Sequence, residues 1–177
     1  MQFDSIDYLQ YGSQMQRQAY KILIQANIFD ILKPFNPILA GTIPIDIGIE
    51  NSDLDIICYT LDYDSFLNVV NRYFSQYEQF IVYKNNTLTV PPIVARFYID
   101  NTEIEIFGQN IPVKLQNAYR HMLVEYSLLQ KYGDPFREQI IALKMQGLKT
   151  EPAFAQLLGL EGDPYIELLN MENGEWL

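Results

Sequence analysis

Residues 39–58 read LAGTIPIDIGIENSDLDIIC, and this stretch decides the fold. Near its end, two carboxylates one residue apart, Asp53 and Asp55, interrupt an otherwise apolar run. Successive side chains of a β-strand point to opposite faces, so a strand here places the two acids on one face and Leu54 and Ile56 on the other. The pattern therefore predicts a strand that carries two acids on the same face.

This acidic pair needs a partner that offsets its charge. Acidic residues are depleted in strands and are costly to bury unpaired, so folding alone does not favour Asp53 and Asp55 here. Two carboxylates about 4 Å apart repel by about 4 kcal/mol at an effective dielectric constant of about 20. A raised pKa, a basic partner or a divalent cation would offset that repulsion. We interpret the pair as a metal site; the alternative is two acids on the solvent face of an edge strand.

A glycine turn precedes the acidic strand. The apolar residues 37–40 predict a short strand that ends in a tight turn at Gly41 and Thr42. Glycine allows backbone N–H groups to approach a ligand closely, and the neighbouring hydroxyl can hydrogen-bond a phosphate. Residues 43–50 alternate with a period of two, which predicts a further extended segment.

A second acidic strand is predicted downstream. Glu103 and Glu105 alternate with apolar residues over 102–108, so both carboxylates point the same way and either is a candidate third ligand. We choose Glu105 because its apolar neighbours place it nearer the centre of the strand. The preceding strand runs antiparallel and makes Arg96 a near neighbour that either neutralises the glutamates or contacts substrate.

In this order, the glycine turn, the Asp-x-Asp strand and the later acidic strand resemble the DNA polymerase β-like nucleotidyltransferase superfamily. The resemblance implies that the small-residue turn holds the phosphates of a nucleotide. It also implies that three carboxylates on neighbouring strands bind two magnesium ions and are catalytic. Here those residues are Asp53, Asp55 and Glu105, with Glu103 as the alternative to Glu105.

The chain as a whole is similar to an uncharacterised bacterial family, catalogued as domain of unknown function 4269 and placed near the nucleotidyltransferases. The similarity spans most of residues 13–170 and brings no known substrate. It is carried by five segments: GTIPI at 41–45, SDLDIIC at 52–58, QNAYRHM at 116–122, KTEPAF at 149–154 and GDPY at 162–165.

The hydrophobic periodicity and the resemblance together predict an α+β fold, in which a nucleotidyltransferase-like mixed sheet with flanking helices is followed by a C-terminal helical subdomain. We expect one domain over 1–177, with the α/β core at about 13–110, the helical subdomain at about 111–177 and a cleft between them. Predicted strands cover 37–41, 43–50, 53–60, 79–84, 88–99 and 102–108. Predicted helices cover 13–33, 64–76, 113–131, 135–146, 151–158 and 164–171, and the predicted N-caps are Ser13, Asp64, Asp134, Thr150 and Asp163.

Composition restricts the partners. The chain has 22 acidic residues against 12 Lys and Arg, a formal net charge of −10. Proteins that bind an extended nucleic acid usually carry a basic stripe, so we disfavour long DNA or RNA, whereas a nucleoside triphosphate with magnesium remains compatible. The single cysteine, Cys58, fits a reducing cytoplasm. No apolar run of about 18 residues and no basic leader occur, so we expect neither a membrane span nor a signal peptide.

The helical half supplies further candidates for substrate binding. Arg120 would bind a triphosphate bidentately. Lys149 precedes a predicted helix N-terminus, where an anion is favoured; the alternative is a solvated lysine. His121, the only histidine, is a candidate base or a hydrogen-bonded structural residue. The predicted nucleotide-binding set is Gly41, Thr42, Ser52, Arg120 and Lys149.

These features predict a magnesium-dependent nucleotidyltransferase that transfers a nucleotidyl group from a nucleoside triphosphate to a small-molecule or protein acceptor. The mechanism is implied by the resemblance, because spacing alone yields only a site of clustered carboxylates. The alternative is a non-catalytic nucleotide-binding, metal-binding or regulatory protein on the same fold.

Overall fold

The computed structural model describes residues 3–173 of the 177-residue chain. Its strands form one mixed sheet of five strands in the order β1-β2-β5-β4-β3. Strands β2 and β5 are parallel neighbours, and the other adjacent pairs are antiparallel. The predicted α+β fold is confirmed. The strands are β1 (Ile38–Ala40), β2 (Leu54–Tyr59), β3 (Glu78–Lys84), β4 (Ile93–Ile99) and β5 (Thr102–Gln109).

Helices flank the sheet and make up most of the second half. No helix within residues 3–173 is long and apolar enough to cross a membrane. The α-helices are α1 (Gln14–Gln25), α2 (Ile28–Leu32), α3 (Tyr63–Phe74), α4 (Asn117–Tyr132), α5 (Asp134–Met145), α6 (Thr150–Leu158) and α7 (Pro164–Asn170). Short 3-10 helices cover Asp7–Tyr11, Lys33–Phe35, Val113–Leu115 and Met171–Asn173.

The two faces of the sheet bury two separate apolar clusters. On one face, Leu54 and Ile56 of β2 are fully buried in a cluster that includes residues of α1, α2 and α3. On the other face, Ile57 of β2 joins a cluster that includes residues of α4 to α7. Because side chains alternate along a strand, Asp55 shares the face of Ile57. The acid-bearing face is therefore the one that the helical half covers.

The strand predicted over 43–50, which includes the connector of residues 43–49, is wrong: residues 43–46 form turns and residues 47–49 belong to no strand. Ile43, Ile45 and Ile47 are nevertheless buried, so the period-two alternation reflects burial and not strand pairing. Side chains from α1 and α5 bind the backbone carbonyls that a strand ladder would otherwise bind. The donors are Gln16 Nε2 to Ile43 O (2.9 Å) and Pro44 O (3.2 Å), Arg137 Nη1 to Ile45 O (2.6 Å) and Lys144 Nζ to Ile47 O (2.7 Å).

Several predicted boundaries also move. The single helix predicted over 13–33 is interrupted by Asn27, whose φ of 53° places it in the left-handed region between α1 and α2. The strand predicted over 88–99 begins at Ile93, directly after two prolines that lack the N–H group a ladder needs. The helix predicted from residue 113 starts with the 3-10 turn Val113–Leu115, and α4 begins at Asn117.

The helix caps divide into confirmed and corrected predictions. Ser13 caps α1 in a capping box with Gln16, and Asp163 accepts two backbone N–H groups of α7. The predicted cap Asp64 is wrong, because Asp62 accepts the backbone N–H groups at the start of α3. Asp134 and Thr150 were also predicted as caps; each is instead the first residue of its helix, and the N-cap residue before it makes no side-chain bond.

Candidate active site

The acids of β2 and β5 are aligned by the parallel ladder. Asp55 lies opposite Glu105 in that ladder and opposite Ala40 in the antiparallel ladder with β1. Asp53 directly precedes β2, on the same side of the chain as Asp55. All three carboxylates line one cavity of about 670 Å³. Gly41, Thr42 and Lys149 of the predicted substrate-binding set line it as well.

Burial and mutual repulsion disfavour the charged state of these carboxylates. Burial raises the pKa of Asp55 well above its ordinary value, and the neighbouring charges of Asp53 and Glu105 raise it further. The pKa of Asp53 is raised mainly by burial, with Glu103 adding to the shift. Arg96 opposes both shifts. The basic neighbours thus offset the repulsion among the carboxylates only in part, and a divalent cation would supply the remaining positive charge.

Arg96 of β4 holds one member of the cluster. Its Nε donates to Glu105 Oε2 at 2.6 Å, and its Nη2 lies 2.6 Å from the same oxygen. Burial raises the pKa of Glu105, and this contact with Arg96 limits the rise. Within residues 3–173, no three His, Cys, Asp or Glu side chains are arranged to hold a metal ion. Arg96 is thus the neutralising neighbour in this conformation, and Glu105 is committed to it.

Glu103 has different surroundings from Glu105. It accepts a hydrogen bond from the Tyr98 hydroxyl at 2.9 Å and lies 3.8 Å from Arg96 Nε. Unlike Glu105, it is not among the residues that line the cavity. The alternation of side chains along the strand did not distinguish the two glutamates. Their positions relative to the cavity do, because only Glu105 lines it.

The glycine turn comes close to the acids. Gly41 has a φ of +79°, which non-glycine residues rarely adopt. A Cβ atom at Gly41 would lie 2.3 Å from Asp55 Oδ2, so a side chain there would displace the carboxylate. Thr42 Oγ1 donates to Ser52 Oγ at 3.4 Å, and Ser52 Oγ accepts from the Ile49 N–H at 2.9 Å. Ser52 fixes the end of the connector and does not line the cavity.

Arg120 and Lys149 occupy different environments. Arg120 Nε and Nη2 both donate to Glu172 Oε2, at 2.9 Å and 2.6 Å, and Arg120 is not among the residues that line the cavity. Lys149 is exposed at the N-terminus of α6 and lines the cavity. The structure therefore brings Lys149 to the carboxylates and leaves Arg120 in an ion pair elsewhere.

Sequence reasoning missed Glu125, which lines the same cavity from α4 and is only 3% exposed. The pKa of Glu125 is raised to about 8, mainly by burial and also by the charge of Glu151, with Lys144 opposing the shift. Lys144 lines the cavity from α5, and burial lowers its pKa to about 8. The available signal was helical spacing, because His121 and Glu125 are four residues apart and share a helix face.

These two groups predict a minimum in stability near pH 8. Because the pKa of Glu125 is raised in the folded protein, its burial costs nothing at low pH, and the free energy of unfolding falls as pH rises from about 4.5 to about 8. Because the pKa of Lys144 is lowered, its cost is present below pH 8 and is lost as pH rises towards 10.5. We expect the unfolding free energy to be about 2 kcal/mol lower at pH 8 than at pH 6, measured by urea denaturation.

The variant Glu125→Gln isolates the larger contribution between pH 6 and pH 8. It keeps the shape of the side chain and removes its titration, so we expect most of the fall in stability over that interval to disappear. Glu161→Gln removes an exposed acid of the helical half and should leave the fall unchanged. An equal fall in wild type and Glu125→Gln would contradict the prediction.

Comparison with known proteins identifies a family. The family model described as Domain of unknown function (DUF4269) matches residues 21–171. None of the curated proteins with which the sequence was compared matches it.

Solved structures with a similar fold are nucleotidyltransferases. Cid1, an RNA terminal uridylyl transferase, superposes with a TM-score of 0.55 at 13% identity, over 75% of this chain and 41% of that chain. Cid1 poly(U) polymerase with MgGTP bound gives 0.52 at 14% identity, over 74% and 41%. A chain of the GLD-2/RNP-8 complex gives 0.51 at 15% identity, over 96% and 60%. The chain thus has a nucleotidyltransferase-like fold and spans less than two thirds of the length of these proteins. The DUF4269 family and the fold expected from the sequence are confirmed.

Proposed function

The chain belongs to the DUF4269 family, and from the geometry of its cavity we propose that it is a magnesium-dependent nucleotidyltransferase acting on a small-molecule or protein acceptor. One observation carries the proposal: Asp53, Asp55 and Glu105 converge on a single cavity beside the Gly41 turn, on a nucleotidyltransferase-like fold. Like charges that are buried and repel one another have no folding rationale, and such groups cluster at functional sites.

The carboxylates suit a hard divalent cation. Magnesium prefers oxygen ligands, keeps several waters and accepts substrate phosphates, so two or three protein carboxylates are enough. Asp53 and Asp55 would hold the two ions that the superfamily resemblance implies, and Glu105 would join them when Arg96 releases it. When bound, magnesium would neutralise the triphosphate and activate the hydroxyl of the acceptor.

Residues around the acids would orient the triphosphate. The backbone N–H groups at Gly41 and Thr42 would hold the β- and γ-phosphates beside Asp55, which packs against Gly41 where a Cβ atom would otherwise stand. Lys149, exposed at the N-terminus of α6, would bind the charge that accumulates on the leaving pyrophosphate. Arg120 and Ser52 have other partners in the fold and take no part in the proposal.

The reaction would be an in-line displacement. The hydroxyl oxygen of the acceptor forms a bond to the α-phosphorus as the bond from that phosphorus to the α–β bridging oxygen breaks. Pyrophosphate leaves, and the hydroxyl proton passes to a carboxylate of the cavity. Positioning by the turn and by Lys149 supplies the alignment that such a displacement requires.

Calorimetric titration with each nucleoside triphosphate, with and without magnesium, tests the proposal. We expect at least one triphosphate to bind only when magnesium is present, and we expect Asp53→Asn to weaken that binding at least tenfold. Failure of every triphosphate to bind at millimolar concentration would overturn the proposed function.

A second candidate function is a non-catalytic nucleotide-binding protein on the same fold. The ion pair between Arg96 and Glu105 favours it, because that pair withholds one carboxylate from the other two. Magnesium-dependent binding of a triphosphate with no release of pyrophosphate against any acceptor would select this candidate.

A further inference from the structure

The helical half gives the cavity a wall with a surplus of hydrogen-bond acceptors. Glu125 lines this wall at 3% exposure, and its carboxylate accepts no hydrogen bond from another residue in the described part of the chain. Glu151 of α6 lines the wall nearby and raises the pKa of Glu125 through its charge. Ionisation of this buried group is costly, as its raised pKa reflects, and a ligand that brings a donor and a positive charge would offset that cost.

His121 adds a further acceptor to this wall. Its Nε2 lies 2.9 Å from the backbone oxygen of Tyr165, and a carbonyl oxygen can only accept, so Nε2 carries the proton. The other ring nitrogen, Nδ1, lies 3.7 Å from Glu151 Oε1. With Nε2 bonded to the Tyr165 carbonyl, Nδ1 is the ring nitrogen that can accept a hydrogen bond from a ligand whenever the ring is neutral.

Gln116 makes the imbalance larger. Its Nε2 donates to Cys58 O at 2.9 Å and to Ile111 O at 2.8 Å, which fixes the orientation of the amide. Its Oε1 is buried and has no partner among the described residues, although the side chain borders the cavity. Lys144 also lines the cavity and donates one of its three N–H groups to Ile47 O.

We infer that this wall, formed by His121, Glu125 and Glu151, binds the acceptor substrate through a protonated amine on that substrate. The inference rests on the proposed function and names the class of acceptor: an amino alcohol whose hydroxyl receives the nucleotidyl group. A primary ammonium brings three N–H donors and one positive charge, which matches the two carboxylates and the unpartnered amide oxygen of Gln116. A neutral polyol would bring no charge, and Lys144 would then be the cation that faces both Glu125 and Glu151. The net charge of −10 also raises the local concentration of cations.

The experiment compares two probes of similar size, glycerol, which is neutral, and 1,3-diaminopropan-2-ol, which is cationic at neutral pH. In 1,3-diaminopropan-2-ol, amines replace the two terminal hydroxyls of glycerol, so size and central hydroxyl are matched. Each is titrated calorimetrically into the full chain at neutral pH without nucleotide. We expect the diamine to bind at least tenfold more tightly than glycerol. Equal binding of the two probes would overturn the inference.

Matched variants locate the bound amine. Glu125→Gln and Glu151→Gln should each weaken binding of the diamine at least tenfold. Glu161→Gln removes the same charge from an exposed position in the helical half and should leave binding within twofold of wild type. A larger loss in Asp53→Asn than in Glu125→Gln would place the amine at the sheet acids and overturn the inference.

Two features of the design keep the result decisive. Glu151 is only partly buried, so Glu151→Gln still tests the inference if the buried Glu125→Gln variant does not fold. The titrations contain no nucleotide, so failure of the amine to bind is distinguishable from failure of the magnesium triphosphate to bind. If the amine alone fails to bind, the inference that the acceptor is an amino alcohol is wrong, and the proposed nucleotidyltransferase function is unaffected.

Discussion

Asp55→Asn is expected to abolish nucleotidyl transfer and, at the same time, to stabilise the metal-free protein. Transfer should fall by roughly a thousandfold or more, the scale on which removing a preorganised charge-stabilising group acts. Stability should rise, because burial and the charges of Asp53 and Glu105 all disfavour an ionised Asp55. The measurements are pyrophosphate release with the triphosphate that binds, and the midpoint of thermal unfolding without metal.

Magnesium and a control variant complete this test. Magnesium should raise the unfolding midpoint of wild type and leave that of Asp55→Asn almost unchanged, because only wild type retains the full carboxylate set. Asp30→Asn removes an exposed acid from α2 and should change neither activity nor stability. If Asp55→Asn instead melts well below wild type, the carboxylate is structural and the proposed site is wrong.

The acids could be predicted from the sequence because the signal is local. The period of two in a strand is fixed by backbone geometry, so one reading of residues 53–58 places Asp53 and Asp55 on the same face. The same rule applied to β5 gave Glu103 and Glu105 as candidates, the ladder pairs Glu105 with Asp55, and the antiparallel order of the strands made Arg96 a neighbour. No partner distant in sequence was needed for any of these steps.

The prediction for the connector over residues 43–49 was wrong because side chains distant in sequence determine the conformation of this segment. Alternating isoleucines predict a strand whenever the backbone groups have a strand to pair with. Here the carbonyls are bound by Gln16, Arg137 and Lys144, the last of them 97 residues away from its acceptor. Such donors are visible only after the chain has folded, because side-chain type does not reveal which carbonyl a residue will reach.

The helical half shows the same limit on its exposed faces. Helical spacing groups residues on a face but does not say what covers that face. Arg120 was assigned to a triphosphate, yet its guanidinium is held by Glu172, 52 residues away. Glu125 was not singled out from the sequence, yet α4 turns it into the cavity, where it is buried. Both outcomes depend on how α4 packs, which is tertiary information.

Glu105→Gln is expected to reduce nucleotidyl transfer by about a hundredfold, and Glu103→Gln by less than about threefold. Glu105 lies beside Asp55 in the ladder and lines the cavity, whereas Glu103 is held by Tyr98 and does not line it. The two substitutions are matched, since each replaces one glutamate of the same strand face by its neutral isostere. Pyrophosphate release and the magnesium-dependent affinity for the triphosphate are the readouts.

Stability separates a ligand role for Glu105 from a structural one. Glu105→Gln removes the ion pair with Arg96, whose side chain is 44% exposed, and exposed pairs contribute only about 0–1 kcal/mol. The unfolding free energy should therefore change by less than about 1 kcal/mol while activity falls. A larger loss of activity in Glu103→Gln would instead make Glu103 the third ligand. Glu105 would then be the residue that keeps Arg96 beside the metal site.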